Sequence, residues 1–274
     1  MGAAGAARAA LPVAALFALA VPVLVGLAWM AWAGSPESYR ILNAAALGFA
    51  SIWLVFARAP NTVRQWRILA IAALFALCLP FLTGPGVNGV ARWISFGPVG
   101  LNSGAIAIPA LAVAAVRDRA WGPHLLGAAL LPLTAQPDAA AGLAVTFAAV
   151  GIHDRTKDWR YGIVCIAGFF LTISMALRGE LPPQTFVERV IGDAMGESLV
   201  WAVLLFGALA ASFFTVLKGL RADAATSYAL AGCLFGFIIM ALVSHNPFPL
   251  IGYGAAPILG FGLALGLAES SRAG

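Results

Sequence analysis

Long apolar runs alternate with short polar segments along the whole chain. A helix needs about 20 apolar residues to cross the roughly 30 Å hydrocarbon core of a bilayer. The runs are continuous and lack the roughly ten-residue alternation that is typical of membrane β-barrels. The pattern predicts an all-α integral membrane protein with about ten spans, at roughly 11–33, 41–57, 68–84, 101–116, 122–135, 137–153, 160–178, 198–217, 226–244 and 250–268.

The fifth and sixth predicted spans are short, and only Gln136-Pro137-Asp138 separates them. Proline ends or kinks a helix because it lacks the N–H group and collides with the preceding turn. One kinked helix is therefore an alternative to two spans. The N-terminal run also has an alternative as a signal peptide that is cleaved near Ala31-Trp32-Ala33. Its length favours an uncleaved first span, since the apolar region of a signal peptide has about 7–15 residues.

The composition supports a membrane protein, because 62% of the residues are hydrophobic and only 10% are charged. Soluble globular domains carry about 25% charged residues. No polar stretch is long enough to fold separately, so residues 1–274 are expected to form one transmembrane domain.

The charges predict the orientation of the chain. Ten spans with a cytoplasmic N-terminus place twelve of the sixteen Lys and Arg residues on the inner side. This distribution satisfies the positive-inside rule and predicts that both ends are cytoplasmic. Merging the fifth and sixth spans would put the basic loops 117–121 and 154–160 on opposite sides, which favours two separate spans. The same rule explains the net charge of +5 without a nucleic-acid partner.

The outer loops differ in kind from the inner ones. They carry six of the eleven acidic residues and three stretches rich in Gly, Pro and aromatic residues, at 84–98, 179–196 and 245–257. Loops carry function more often than the helices that position them. A functional site is therefore expected to open toward the outer face.

Two of the candidate groups lie near the third and fifth spans. Arg92 follows Asn88 and precedes Trp93, and an arginine there suits a phosphate or pyrophosphate; an interfacial Arg-Trp anchor is the alternative. Asp138 follows Gln136, and an ionisable residue within a membrane segment is a functional candidate. Its alternative role is to cap the following helix.

The other candidates lie in the later outer loops. Acids at Glu188 and Asp193 suit a general base or a cation site, with a solvated loop and helix start as the alternative. The segment from His245 to Tyr253 contains two prolines and a glycine, and broken helices are tolerated where they line a cavity. Structural hydrogen bonding is the alternative for His245.

The sequence contains no phosphate-binding Walker A loop, zinc motif, nucleophile elbow or haem signature. The three cysteines lie in different apolar segments without metal-ligand spacing, so they are interpreted as small core residues. No cofactor follows from these residues.

Four of these stretches together resemble the SEDS family (shape, elongation, division and sporulation) of the RodA and FtsW type. Residues 88–94 resemble N-G-A-R-R-W-I, and residues 136–138 keep the start of Q-P-D-L-G-T. Residues 181–196 are similar to L-P-E-x-H-T-D-F-I-F-A-V-I-G-E-E-L-G, and residues 247–256 to P-L-P-F-I-S-Y-G-G-S. The motifs occur in the family's order over roughly residues 66–268.

The resemblance implies a ten-span bundle that polymerises, or helps to polymerise, peptidoglycan strands from lipid II in cell elongation or division, in the bacterial inner membrane. It implies an outward groove for a polyprenyl-pyrophosphate-linked glycan, Mg²⁺ or Mn²⁺ as a candidate cofactor, and a single-span transpeptidase as a candidate partner. Glu188 and Asp138 are the catalytic candidates. The substrate-binding candidates are Arg92, Trp93, Asn88, Gln136, Thr185, Asp193, His245 and Tyr253.

The sequence departs from the family at positions that bear on catalysis. The family's essential aspartate aligns with Thr185, which cannot act as a carboxylate base. Glu188 lies three residues later and would share that face on a helix, so it is the expected replacement. A second family carboxylate aligns with Gly104, and the large outer loop that precedes L-P-E is missing. A non-catalytic scaffold, and a protein that binds or flips a lipid intermediate, are therefore the alternatives to a glycosyltransferase.

Overall fold

The computed structural model describes residues 11–84, 86, 90–97, 99–179 and 181–270. This part of the chain forms twelve helices and one two-stranded sheet. The elements, in order, are α1 (Val13–Trp32), α2 (Glu37–Phe56), α3 (Val63–Cys78), α4 (Pro80–Thr83), β1 (Trp93–Phe96), β2 (Val99–Asn102), α5 (Ser103–Arg117), α6 (Gly122–Ala135), α7 (Ala139–Thr156), α8 (Trp159–Arg178), α9 (Val190–Glu197), α10 (Leu199–Lys218), α11 (Ala224–Val243) and α12 (Ala255–Ser270).

Polar caps decide where several helices begin. Thr62 and Gln65 form a capping box at the start of α3, where each side chain satisfies a free backbone N–H group. Side-chain oxygens cap the first turns of α5, α7, α8 and α11 in the same way. These caps are Asn102, Asp138, Asp158 and Asp223.

Prolines mark two breaks that the sequence contains. Pro80 separates α3 from the single turn α4, and together they form a 21-residue apolar stretch, Val63–Thr83. Pro137 lies between α6 and α7, which are two separate helices and not one kinked helix. Each predicted span corresponds to one helix or, for the third, to this pair.

A β-hairpin in the outer loop is the exception to the all-helical prediction. Strands β1 and β2 pair antiparallel, with Trp93 opposite Asn102, and Gly97 supplies a positive φ of 59° in the turn. Strands of four residues leave only a weak alternation in the sequence. Because β2 extends to Asn102, the helix of the fourth span begins at Ser103 and not at 101. The helix of the tenth span, α12, begins at Ala255 and not at 250.

The helices divide into a central and a peripheral set. Most residues of α5, α7, α11 and α12 are buried. The peripheral helices expose large apolar side chains, such as Phe56 at 74% and Leu177 at 82%, an arrangement suited to lipid and costly in water. Among the described residues, six stretches are long and apolar enough to span a bilayer: α1, α2, Val63–Thr83, α8, α10 and α11.

Hydrogen bonds and ion pairs show which loops meet. Arg67 pairs with Asp118, and Arg117 pairs with Asp223, so three of the basic loops lie together at one end of the bundle. Arg92 donates a hydrogen bond to Asn246, and Asn102 donates one to Asp138, at the opposite end. We call these the inner and outer ends, following the charge rule.

Glycines allow α7 and α11 to pack closely. A methyl group at Gly236 would lie 2.6 Å from the carbonyl oxygen of Leu143 and 2.7 Å from the Cα of Ala144. Gly232 and Gly151 make similarly close backbone approaches. Small residues at such contacts increase van der Waals packing, which drives helix association in lipid.

We expect Gly236→Ala to lower the thermal unfolding temperature of the detergent-solubilised protein, because the new methyl group would push α11 away from α7. The matched control is Gly207→Ala in α10, where an added methyl group meets no atom within 4 Å. Alanine is favoured over glycine in a helix by up to about 1 kcal/mol, so the control should be neutral or stabilising. Equal unfolding temperatures for the two variants would contradict the proposed packing.

Candidate functional site

A cavity of about 620 Å³ opens at the outer end of the bundle. We call it the outer cavity. Its walls come from the hairpin, the starts of α5, α7 and α12, and the segments 181–188 and 247–257. Four of the predicted site residues line it: Trp93, Asp138, Glu188 and Tyr253.

Three helices begin at this cavity. Residues of the first turn or cap of α5, α7 and α12 line its surface, including Ala105, Ala140 and Ala256. The N-terminus of a helix carries a partial positive charge and free N–H groups. The three N-termini therefore add positive potential to the outer cavity, whose lining also carries the carboxylates of Asp138 and Glu188.

Asp138 joins the starts of α5 and α7. One carboxylate oxygen accepts a hydrogen bond from the Ala141 backbone N–H (3.1 Å), and the other accepts one from the Asn102 side-chain amide (3.1 Å). Asn102 in turn caps α5 by accepting a hydrogen bond from the Ala105 N–H (2.7 Å). Asp138 is only 1% exposed, yet it contributes to the cavity surface. It is thus a helix cap and a cavity residue at once.

Glu188 approaches the cavity from the segment before α9. Its carboxylate accepts a hydrogen bond from the Gln184 backbone N–H (2.7 Å), and the residue is 7% exposed. Burial raises the pKa of Glu188 above its usual value, although that backbone hydrogen bond and the positive charges of Arg92 and His245 act in the opposite direction. A raised pKa brings this carboxylate nearer to the range that suits a general base.

The prediction that Thr185 and Glu188 share one face of a helix is wrong. Residues 185–189 form turns and α9 begins only at Val190. Thr185 is therefore exposed and lies outside the cavity lining, whereas Glu188 points into it. The tight turn closed by Gln184, and not a shared helix face, brings the carboxylate inward.

Aromatic rings form part of the wall. Trp93 is half-buried on β1, and Tyr253 stacks on Tyr39 with ring centroids 3.6 Å apart and planes within 8°. The side-chain amide of Asn43 holds the loop around Tyr253, since it donates to the Gly252 carbonyl (2.9 Å) and accepts from the Gly254 N–H (3.0 Å). These rings give the cavity flat apolar faces beside its carboxylates.

Arg92 and Gln136 lie behind the cavity wall. The Arg92 guanidinium, 3% exposed, donates hydrogen bonds to the Gly179 carbonyl and to the Asn246 side chain (3.3 Å). Gln136 is fully buried and donates to the Leu77 carbonyl. Both side chains tie outer segments together, and neither lines the cavity.

The remaining candidates lie elsewhere. Asp193 is half-buried in α9 and outside the cavity lining. His245 lines a separate cavity of about 320 Å³, together with Arg189, between α9 and the end of α11. Asn88 falls outside the described residues.

The carboxylates suit a divalent cation only with help from a ligand. Within the part of the chain that the structure describes, no three His, Cys, Asp or Glu residues form a metal-binding group. Mg²⁺ is commonly bound by one or two carboxylates together with substrate phosphates. Asp138 and Glu188 fit that mode, in which Mg²⁺ or Mn²⁺ would bind together with a phosphorylated substrate.

Sequence reasoning missed Asn102, Asn43, Tyr39 and Asn246. Asn102 could have been found, because it directly precedes a helical apolar run in the position of a cap. Asn43 and Tyr39 give no such signal, since their partners lie more than 200 residues away in the sequence.

The fold is similar to that of solved proteins. The crystal structure of the rod shape determining protein RodA from Thermus thermophilus matches with a TM-score of 0.70 and 20% identity, covering 94% of this chain and 95% of that one. A mutant of the same protein matches with a TM-score of 0.72 and 22% identity, covering 94% and 96%.

A third similar structure belongs to a peptidoglycan synthase complex that coordinates polymerization and crosslinking. It has a TM-score of 0.69 and 20% identity, and the match covers 96% of this chain and 98% of that one. No protein-family model and no curated protein matches the sequence. The comparison confirms the expected fold: this chain is a nearly all-helical, multi-pass membrane protein with the SEDS-type architecture.

We expect Arg92→Ala to loosen the outer end of the bundle, because it leaves the buried Gly179 carbonyl and the Asn246 side chain without a donor. Each orphaned group costs about 1–3 kcal/mol. Hydrogen exchange should become faster at amides of 181–189, and the unfolding temperature should fall. The control is Arg189→Ala, an exposed arginine of the same segment; equal exchange in both variants would contradict the role of Arg92.

Glu188 should give the protein a pH-dependent stability. The folded chain keeps the Glu188 proton to a higher pH than the unfolded chain does, so the free energy of unfolding falls as pH rises from about 4.5, the ordinary value, through the raised pKa. Across this pH range, the unfolding temperature of Glu188→Gln should depend less steeply on pH than that of the wild type. The exposed Glu197→Gln serves as a control and should keep the wild-type slope. A wild-type slope in Glu188→Gln would exclude Glu188 as its source.

Proposed function

We propose that this chain is a SEDS-like protein of the bacterial inner membrane that binds a polyprenyl-pyrophosphate-linked glycan of the lipid II type in the outer cavity and transfers its sugar to a growing strand. The observation that carries the proposal is the meeting of three helix N-termini, two carboxylates and two aromatic rings in one outward cavity of a RodA-like fold. Such a protein would act in cell elongation or division.

Electrostatics support the binding of a pyrophosphate. The N-termini of α5, α7 and α12 converge on the cavity, and a helix N-terminus is a favourable site for phosphate groups. Asp138 offsets part of this positive potential, because its carboxylate caps α7. A divalent cation bound to the pyrophosphate would neutralise the leaving group's charge and reduce the repulsion from Asp138.

Glu188 and Asp138 have separate roles in the proposed glycosyl transfer. The acceptor sugar's hydroxyl oxygen forms a bond to the anomeric carbon of the donor, and the bond from that carbon to the pyrophosphate oxygen breaks. The hydroxyl proton moves to Glu188, whose buried carboxylate has the higher pKa of a suitable base. Asp138, which two hydrogen bonds hold in place, orients the substrate's polar groups.

The aromatic rings offer a place for the sugar. Trp93 and Tyr253 line the same cavity as the carboxylates, and rings beside a few placed polar groups are typical of small-molecule sites. In this arrangement Arg92, Gln136 and Asn246 support the wall from behind.

A single-span transpeptidase is the partner that fits this activity. The third similar structure is a complex in which polymerization and crosslinking are coordinated. Such a partner would crosslink the strands that this chain extends, with its own helix in the same membrane.

A non-catalytic role is the second candidate. The residue aligned with the family's essential aspartate, Thr185, is exposed and outside the cavity. In that case the chain would bind, flip or present the lipid-linked glycan without joining its sugars, and the outer cavity would serve for recognition alone.

The deciding experiment is polymerisation of lipid II by the purified protein with Mg²⁺ or Mn²⁺, together with lipid II binding by native mass spectrometry. Glu188→Gln should lower the rate of strand formation by roughly 100-fold or more, the range of general-base catalysis, while lipid II binding persists. Asp138→Asn should weaken binding as well. Glu197→Gln is the exposed control and should match the wild type.

The outcomes separate the candidates. Strands from the wild type with unchanged activity of Glu188→Gln would reject Glu188 as the base. No strands, but binding that depends on Asp138, would establish the non-catalytic role. Neither strands nor binding would reject the assignment of the outer cavity to this substrate.

A further inference from the structure

The inner end of the bundle contains two adjoining cavities of about 570 and 690 Å³. We call them together the inner cavity pair. They share Val116, Arg119, Thr156, Asp223 and Ala225 in their walls. The pair lies among the inner ends of α3, α5, α7, α8 and α11, far from the outer site along the bundle.

The lining of this cavity pair has an excess of positive charge. Five arginines face three aspartates there, an excess of two positive charges. The arginines are Arg67, Arg117, Arg119, Arg155 and Arg160, and the aspartates are Asp118, Asp158 and Asp223.

Each aspartate positions one arginine. Arg67 lies 2.8 Å from Asp118, Arg160 lies 2.7 Å from Asp158, and Arg117 lies 3.0 Å from Asp223. A guanidinium has five N–H donors in a fixed fork, so these pairs hold the arginines in place. Arg67 uses only Nε and one terminal nitrogen on Asp118 and keeps donors for a ligand, whereas Arg160 also donates to the backbone carbonyls of Arg119 and Ala120. Ion pairing therefore organises the site without neutralising it.

Arg155 pairs with Asp154 (3.4 Å), an acid outside the lining that also pairs with Lys157 (3.0 Å), so this group leaves the excess of two positive charges unchanged. Arg119 is therefore the cation of this lining that has no ion-pair partner among the described residues. It lines both cavities and is exposed. Its guanidinium makes no hydrogen bond or ion pair with any residue that the structure describes, and only its backbone carbonyl is used, by Arg160. It is the group best placed to bind an anion from outside the protein.

Two tryptophans indicate that the cavities lie at the depth of lipid headgroups. Trp121, the residue before α6, and Trp159, the first residue of α8, flank the cavities and are 50% and 68% exposed. Tryptophans of this kind mark the boundary between lipid and water. The anion that is most available at this depth is the phosphate of an inner-leaflet lipid.

We propose that the inner cavity pair binds the headgroup of an anionic phospholipid that carries two phosphodiester groups. Two negative charges match the excess of two positive charges, and two adjoining cavities match two phosphates. Basic pockets between transmembrane helices on the cytoplasmic side bind such headgroups in other membrane proteins. The site is independent of the outer cavity and of the function proposed for it.

The test is native mass spectrometry of the full chain in detergent with added cardiolipin, which has two phosphodiesters, or phosphatidylcholine, which has no net charge. Cardiolipin should bind with one dominant stoichiometry and phosphatidylcholine should not. Arg119→Gln should weaken cardiolipin binding roughly fivefold, as expected for one basic residue at an anionic headgroup. Arg119→Lys should retain most of the affinity.

Controls distinguish a built site from general charge attraction. Arg64→Gln removes an exposed inner cation that lines neither cavity and should leave binding unchanged. Equal losses in Arg64→Gln and Arg119→Gln would overturn the proposal. So would displacement of cardiolipin by millimolar inorganic pyrophosphate, since the site would then select a free phosphate and not a lipid. Lipid II binding at the outer cavity should be the same in all three variants.

Discussion

The need to pair every backbone N–H and C=O group inside a lipid bilayer governs this structure. Helices satisfy that need within their own length, which is why nearly all of the described chain is helical. Irregular backbone at membrane depth is tolerated only where protein surrounds it. The outer cavity is formed by such irregular segments, between α6 and α7 and before α12, with polar side chains closing their hydrogen bonds.

Those polar side chains come from distant parts of the chain. Asn43 reaches from α2 to the loop before α12, and Arg92 reaches from the hairpin to the end of α8 and to Asn246. An unpaired backbone group in this environment costs several kcal/mol, so these few contacts decide the shape of the outer end. The shape in turn places Glu188, Asp138, Trp93 and Tyr253 on one surface.

The two ends of the bundle have opposite electrostatic characters. At the outer end, helix N-termini supply positive potential and the carboxylates of Asp138 and Glu188 line the cavity. At the inner end, arginines held by aspartates supply the positive charge directly. The buried acid at the inner end, Asp118, is ion-paired with Arg67, whereas Asp138 and Glu188 at the outer end accept hydrogen bonds from neutral amide donors. The proposed chemistry on a phosphorylated substrate therefore belongs to the outer end, and the proposed binding of lipid headgroups to the inner end.

The sequence by itself determined the helical bundle and the grouping of its loops into two ends, because apolar length and the placement of arginines are local properties of the chain. It also indicated Asp138 as both a cap and a candidate site residue. Only the tertiary structure decided that Glu188 lines the cavity and Thr185 does not, since a turn replaces the expected helix there. It also decided that Arg92 supports the wall from behind, because its partners Gly179 and Asn246 come from segments that no local pattern connects.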